Sequence, residues 1–300
     1  MALGCVHNSV MTDTSDLLKH TPLGNQTTYE DSYNPELLCA VRREDKRRNL
    51  HVRELALEPT PFRGEDRWTA YEVSWLTRSG KPAVALAELI FPCDTDHIIE
   101  SKSLKLYLNS LNQTAFESPQ QLQMLVEQDL SERAGGQVKV TLLPISTGQR
   151  FAEPITGTIN GICLDNLDIY TNDYQPNPNL LAYHPNASIT TEIVYSHLLK
   201  TNCPVTGQPD WATLLIEYHG KPLVHTQLLK YIISFRQHQG FHEHCVEQIF
   251  CDILHHVYPD NLTVYARYTR RGGLDINPLR TNFDPGESQL EHINLRISRQ

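Results

Sequence analysis

The sequence contains no apolar run long enough to cross a bilayer as a helix, which takes about 20 residues. Its opening stretch, MALGCVHNSVMTDTSD, lacks the basic start and apolar core of a secretory signal. Together these absences lead us to expect a cytoplasmic protein with no membrane association. Positive charge is scarce: 26 Lys and Arg against 35 Asp and Glu give a net charge of −9. That balance argues against a surface that binds nucleic acid directly and leaves room only for local basic patches. No Gly-x-Gly-x-x-Gly follows a strand-like run, so a Rossmann nucleotide domain is not supported. His-Glu-x-x-His is also missing, and the segment HEHC with Cys251, His255 and His256 does not have zinc-finger spacing, so no metal is expected. The seven cysteines are odd in number and scattered, which reads as reduced thiols and not a disulfide framework. Triplets such as Asn112-Gln113-Thr114 are then not expected to carry glycans.

What is present is the composition of an ordinary folded chain, 300 residues long and 40% hydrophobic. That length fits one large domain or two ordinary ones. Residues 1–35 are polar and aperiodic and read as a tail. The charge run RREDKRRN (Arg42 to Asn49) reads as a solvated face. Thr69 to Thr77 alternates Tyr71, Val73 and Trp75 with polar neighbours, the pattern of a half-buried strand, and Ala83 to Phe91 returns as a second. Leu104, Tyr107, Leu108 and Leu111 have helical spacing. A second helix starts with Ser118 as N-cap, Pro119 in the first turn and Gln121 completing a capping box. Val138 to Pro144 is another strand.

The same order then recurs. Ala212 to Tyr218 reads as a strand, Leu228 to Phe241 as a helix, HEHCVEQIFCDIL as a second helix, and Leu262 to Thr269 as a closing strand. At a spacing of 125, Leu104 meets Leu229, Lys105 meets Lys230, Phe116 meets Phe241 and Gln123 meets Gln248. Gly80-Lys81-Pro82 meets Gly220-Lys221-Pro222 at a spacing of 140, which implies a longer hairpin in the first copy. Residues 36–144 and 191–300 are thus expected to be two diverged modules, joined by a Pro-, Asn- and Gly-rich segment over 145–190 that carries some strand in GICLDNLDIY. The copies differ in chemistry. The first carries HIIESKSLKLY; the second carries LLKTNCPVTGQPDW and FHEH. A site that needs both would lie between them.

In LLKTNCPVTGQPDW a thiol, Cys203, stands at a break in the apolar pattern, and a carboxylate, Asp210, follows seven residues later. Taken alone, this spacing describes an ordinary turn with a half-buried thiol. Glu243 in the first turn of a helix is favourable to the helix dipole whatever else it does. RYTRRGG, taken alone, is a solvated basic strand end.

Four segments in this order, ESKSLKLYLNSLNQTAF, LLKTNCPVTGQPDW, FHEHCVEQIF and YARYTRRGGLDINP, resemble the NADPH-dependent 7-cyano-7-deazaguanine reductases in their two-module form. The likeness runs from about residue 30 onward. It implies an α+β fold of two tandem tunnelling-fold modules, antiparallel sheets with helices packed on one face, and a homodimer. It implies reduction of a nitrile on a small 7-deazapurine to a primary amine with two NADPH, in queuosine synthesis. Carried onto this chain, the resemblance makes Cys203 the nucleophile and Asp210 the proton donor, with His242 assisting. Ile99, Glu100, Ser101, His242 and Glu243 would contact the substrate. Ser101, Lys102, Arg271 and Gly272 would hold NADPH, with Arg270 a further candidate cation. Two other readings stay open on the residues themselves: a zinc-dependent cyclohydrolase-like enzyme of related fold, and a non-catalytic purine-binding module with Cys203 as packing.

Overall fold

The computed structural model describes residues 29–48, 50, 60–145, 158–284 and 297–300. Of the tail expected over 1–35, residues 1–28 therefore lie outside the described residues. Among the described residues a 3-10 turn (Pro35–Leu37) comes first, then β1 (Ala40–Arg42) and the short helix α1 (Arg43–Arg47). A long hairpin follows, β2 (Arg63–Thr77) and β3 (Pro82–Pro92). Then come β4 (His97–Ile99), α2 (Ser101–Ser110), β5 (Ala115–Phe116), α3 (Pro119–Ala134) and β6 (Lys139–Pro144). The second half has β7 (Ile162–Cys163), the hairpin β8 (Thr190–Asn202) and β9 (Pro209–Gly220), then α4 (His225–Ser234) and α5 (His242–Val257). It ends with β10 (Asn261–Tyr268) and β11 (Leu274–Thr281).

One nine-stranded sheet runs in the order β6-β3-β2-β11-β10-β9-β8-β7, with β5 beside β2; β1 and β4 form a separate pair. All pairings are antiparallel except β2 with β5 and β7 with β8. β2 and β3 form because alternate residues are apolar and turn to one face. Trp68 and Ala70 on β2 pack with Leu104, Tyr107, Leu122 and Val126 of α2 and α3. Leu214 and Ile216 on β9 pack with Leu228, Ile232, Ile249 and Phe250 of α4 and α5. The helices thus cover one face of the sheet, as expected for an α+β chain.

The two hairpins share a defect. β2 buries Trp68 and Ala70, then Val73 and Trp75; β8 buries Val194 and Ser196, then Leu199 and Thr201. In each, a bulge between the pairs inserts a residue and reverses which parity faces inward. Other contacts recur as well. Tyr107 donates to Asp129 at 2.6 Å and Tyr231 to Asp252 at 2.7 Å. The hydroxyls of Ser110 and Ser234 accept from the backbone N–H groups of Asn34 and Asn177, each the cap of a single 3-10 turn, Pro35–Leu37 and Pro178–Leu180. These paired contacts put the two halves 124 residues apart at α2 and α4, one less than the identities suggested. Gly80-Lys81-Pro82 lies in the β2–β3 turn, whereas Gly220-Lys221-Pro222 leads from β9 to α4. The true counterpart of the first turn is therefore the Cys203 turn.

Four further expectations change. Arg270 to Gly273 does not end the last strand; it is a hairpin turn into β11, which is buried along its whole length and joins β10 to β2. Its polar residues hid it from the pattern, and each finds a partner: Asp275 accepts from Tyr71, Asn277 donates to Asp275, and Arg280 donates to Glu247. The charge run is a solvated face only in part: Arg42, Glu44 and Arg48 are exposed, but Arg43 is buried against Asp66 at 2.7 Å and Arg47 reaches Glu247 at 2.6 Å. The helix expected over 228–241 begins earlier and stops at Ser234, followed by a 3-10 turn and a segment bonded to the end of β8. In GICLDNLDIY only Ile162 and Cys163 form strand.

Candidate active site

Asn202 ends β8 and Pro209 starts β9, so the chain folds back over Cys203 to Gln208. The Cys203 N–H donates to Gln208 O at 2.8 Å, and the Gly207 N–H to Cys203 O at 3.0 Å. Gly207 takes φ 68°, a conformation that suits a residue without Cβ. Asp210 consequently stands across the hairpin from Thr201, near the thiol it trails by seven residues in sequence. Both Cys203 and Asp210 are buried.

They open onto a cleft of about 350 Å³, including its mouth. One wall comes from the first half: Trp68, Ile98, Ile99, Glu100 and Ser101. The other comes from the second half: Cys203, Pro204, Asp210, Gly240, Phe241, His242, Glu243, Arg271 and Ile276. The cleft thus lies between the halves, where their unequal motifs meet. Lys102 and Gly272 are not among its lining residues.

Asp210 sits between the guanidinium of Arg271 and the imidazole of His242. Arg271 Nη1 donates to Oδ1 at 3.0 Å, and His242 Nε2 lies 3.5 Å from Oδ2. The His242 ring rests on Tyr268, centroids 3.8 Å apart. His242 opens α5 after a segment, His238 to Gly240, that is tied to the end of β8: Asn202 N–H donates to His238 O and Gly240 N–H to Asn202 O. That tie brings the start of α5 beside the Cys203 turn.

Glu243, next on α5, is 2% exposed, and its Oε1 has no hydrogen-bond partner. Burial pushes its carboxyl up to about 8; the charge of Asp66 adds to this, and Arg43 and Arg280 oppose it. Glu100 differs. It is the N-cap of α2, and its two oxygens accept from the N–H groups of Lys102 and Ser103, each at 2.8 Å. Burial raises its pKa as well, against those two bonds and the charges of Lys102 and Arg271. The cap is a role that the sequence reading of Glu100 as a substrate contact did not include. Arg270, offered as a cofactor cation, lies over the Tyr71 ring at 4.5 Å.

With this geometry in view, the comparisons are specific. Residues 29–142 match the family model described as nitrile reductase, 7-cyano-7-deazaguanine-reductase N-term, and residues 209–287 match that of QueF-like protein. An NADPH-dependent 7-cyano-7-deazaguanine reductase of Desulfotalea psychrophila is 49% identical over 290 residues, covering 96% of this chain and 100% of that one. Relatives with the same name from Cupriavidus pinatubonensis and Azoarcus sp. are each 50% identical, covering 95% of this chain and 99% and 100% of their own. The chain belongs to the NADPH-dependent 7-cyano-7-deazaguanine reductase family. A solved archaeosine synthase QueF-Like chain in the apo form covers 33% of this chain at 16% identity and TM-score 0.29, too slight a likeness to bear on the fold.

Several residues of this reductase-family cleft escaped the sequence reading. Trp68 and Ile276 form apolar walls, and Tyr268 backs His242. Trp68 lies on an alternating strand and carries the same signature as a core residue. Gly240 gave a signal, a lone glycine just ahead of FHEH, but its packing shows only in three dimensions: a Cβ there would lie 2.8 Å from His238 Nε2.

Proposed function

We propose that this chain reduces the nitrile of 7-cyano-7-deazaguanine to the primary amine 7-aminomethyl-7-deazaguanine with two NADPH, through a thioimidate on Cys203. The relatives' names state the substrate and cofactor. The observation that carries the reading is the grouping in one cleft of a thiol, a carboxylate held by Arg271 and His242, and a buried carboxylate with an unpaired oxygen. A nitrile carbon accepts a thiolate: the C–S bond forms, one π bond of C≡N breaks, and the nitrogen takes a proton. Cys203 supplies the sulfur, and Asp210 delivers the proton, with His242 beside it to replenish it. Glu243 receives the two adjacent N–H donors of the guanine-like edge, which only an anionic carboxylate accepts together. Ile99, Glu100, Ser101 and His242 complete the substrate contacts, Glu100 through the oxygens that already cap α2.

The residues present fit NADPH. Ser101 and Arg271 line the cleft, and the turn behind Arg271 is bare backbone at Gly272 and Gly273, with φ 63° and 84°. A side chain at Gly272 would meet Lys105 Nζ at 3.3 Å, so a second cation, an ammonium, overhangs that turn. Lys102, whose charge acts on Glu100, adds a third cation suited to phosphate. When bound, NADPH supplies hydride, and reducing a nitrile to an amine takes two.

The reading includes two tandem tunnelling-fold modules over 36–144 and 191–300, supported by the paired bulges and Tyr–Asp contacts. It also includes a homodimer, a cytoplasmic setting, a role in tRNA queuosine biosynthesis and no direct contact with nucleic acid. The test is to mix the protein with 7-cyano-7-deazaguanine and follow NADPH absorbance. Oxidation of two NADPH per nitrile supports the reading, and no oxidation above a blank without nitrile refutes it.

A further inference from the structure

Away from the cleft, at the β7 end of the sheet, Cys163, Asp165 and His197 bring a sulfur, a carboxylate oxygen and a ring nitrogen within 4.8 Å of one another. None of the three lines the cleft. Cys163 ends the two-residue strand β7, which runs parallel to β8 opposite Tyr195. Asp165 follows one residue after the backbone bond from Leu164 N–H to Tyr195 O. His197 is in the β8 bulge, between Ser196 and Leu199. A bulge re-aims a side chain that regular alternation would point elsewhere.

The surroundings of these groups are those of ligands held in place. Asp165 Oδ1 accepts from Ser196 Oγ at 2.6 Å, and its Oδ2 accepts from the His197 N–H at 3.0 Å. His197 Nδ1 lies 2.8 Å from Thr213 Oγ1, which leaves Nε2 for another partner. An imidazole fixed by a hydrogen bond at one nitrogen and free at the other is the usual arrangement of a metal-ligating histidine. The strand bulge by itself accounts for Asp165, whose carboxylate satisfies the backbone there. Tyr195 hydrogen-bonds the Cys163 side chain and packs edge-on to the His197 ring at 5.4 Å, but neither contact satisfies a sulfur, a carboxylate and an imidazole that converge on one point.

We propose that Cys163, Asp165 and His197 bind one zinc-type divalent cation. The donor set decides the class of ion. Sulfur and imidazole exclude magnesium and calcium, which take oxygen, and favour zinc, which accepts S, N and O in tetrahedral geometry. Bonds of about 2.0–2.3 Å to such an ion set the ligand atoms within about 4 Å of each other. The three side chains are half-buried, and their donor atoms, within 4.8 Å of one another, are spread slightly wider than that. Water would complete the four ligands that zinc takes. Arg299, which donates to His197 O at 3.1 Å, is the cation beside the site. The ion clips β7 to β8, the strand that runs directly into Cys203, so its role is to hold that edge and not to take part in reduction.

The test uses the full-length protein, stripped with chelator, desalted and titrated with Co²⁺ and then Zn²⁺. We expect one Co²⁺ per chain with a thiolate-to-cobalt charge-transfer band, displaced by Zn²⁺, and a thermal midpoint that rises with Zn²⁺. Cys163→Ser and His197→Gln should each lose the band and the midpoint response, while Cys203→Ser keeps both. His197→Gln retains the thiol, so its loss of the band cannot be put down to a missing sulfur. Circular dichroism matching wild type establishes that each variant is folded. No band in the wild type, a band that survives in Cys163→Ser, or a band lost in Cys203→Ser alone would overturn the proposal, the last by placing the metal on the cleft thiol. NADPH consumption with the nitrile plays no part in this test, so the site and the proposed reaction stand or fall separately.

Discussion

Arg271 and Asp210 form an ion pair at 3.0 Å that joins the turn after β10 to the second residue of β9. One side chain proposed to hold the cofactor thus also holds the proposed proton donor. Asp210→Ala should slow adduct formation with 7-cyano-7-deazaguanine by about 10²–10⁴-fold, the usual worth of general acid catalysis. Arg271→Ala should raise the KM for NADPH and also slow adduct formation, by less, because the carboxylate loses its orienting partner. Lys102→Ala should move only the KM. Stopped-flow measurement of the adduct without NADPH separates the two. A wild-type adduct rate in Arg271→Ala would mean that the pair is incidental.

Among the described residues, Cys203 is the only cysteine that lines the cleft. Burial pushes the thiols of Cys39, Cys93 and Cys251 up and that of Cys245 up to about 12, which keeps them protonated and poor nucleophiles. Intact-protein mass spectrometry should therefore find the nitrile adduct in serine variants at these four positions and none in Cys203→Ala. An adduct surviving in Cys203→Ala would remove the thioimidate from that residue.

Glu243 should make substrate affinity depend on pH. Its folded-state carboxyl is raised to about 8, so at neutral pH it is mostly protonated, whereas a guanine-like edge needs the anion. Calorimetric titration should show affinity rising about tenfold per pH unit from pH 6 until the curve flattens near that value, with a proton released on binding. Glu243→Gln should bind weakly, losing about 1–3 kcal/mol or more, and show no such slope. For stability the sign is opposite. A raised carboxyl contributes stability that is fully present below the ordinary value of 4.5 and lost as pH rises through about 8. Glu243→Gln should flatten that loss, which runs between pH 4.5 and about 8. A wild-type affinity whose pH slope persists in Glu243→Gln would assign the titration to another group.

Apolar alternation made β2 legible, apolar runs made β3 and β9 legible, and helical spacing did the same for α2, α3 and α5, because their burial is decided by side chains close in sequence. β11 was not legible, because the partners of Asp275 and Arg280 are Tyr71 and Glu247, more than thirty residues from each. The site motifs were visible as unequal segments of a repeat, and the cleft does bring Cys203, Asp210, His242, Glu243, Glu100 and Arg271 together. Local sequence could not show that Glu100 caps a helix while also facing the cleft. Nor could it show that Arg43, written into a solvent-like charge run, would lie buried behind Glu243.

That buried charge set yields a last prediction. Arg280 bridges Asp66 and Glu247, each at 2.8 Å; Arg47 also reaches Glu247, and Arg43 reaches Asp66. The five residues come from α1, β2, α5 and β11, so the set ties both halves of the chain together. Burial alone would raise the Glu247 carboxyl, but Arg280 and then Arg47 hold it down at about 2. A depressed carboxyl contributes stability that is present above its ordinary value of 4.5 and lost as pH falls toward about 2. Glu247→Gln should destabilise the protein by about 3–5 kcal/mol at neutral pH, because two buried guanidinium groups lose their shared anion. Its stability should also fall less steeply than wild type on acidification below pH 4.5. Adding Arg280→Met to Glu247→Gln should recover part of the loss, since the uncompensated cation goes with it. Urea unfolding of the two single variants and the double variant measures the coupling. Additive losses would show that the pair acts as two independent packing residues and not as one charge unit.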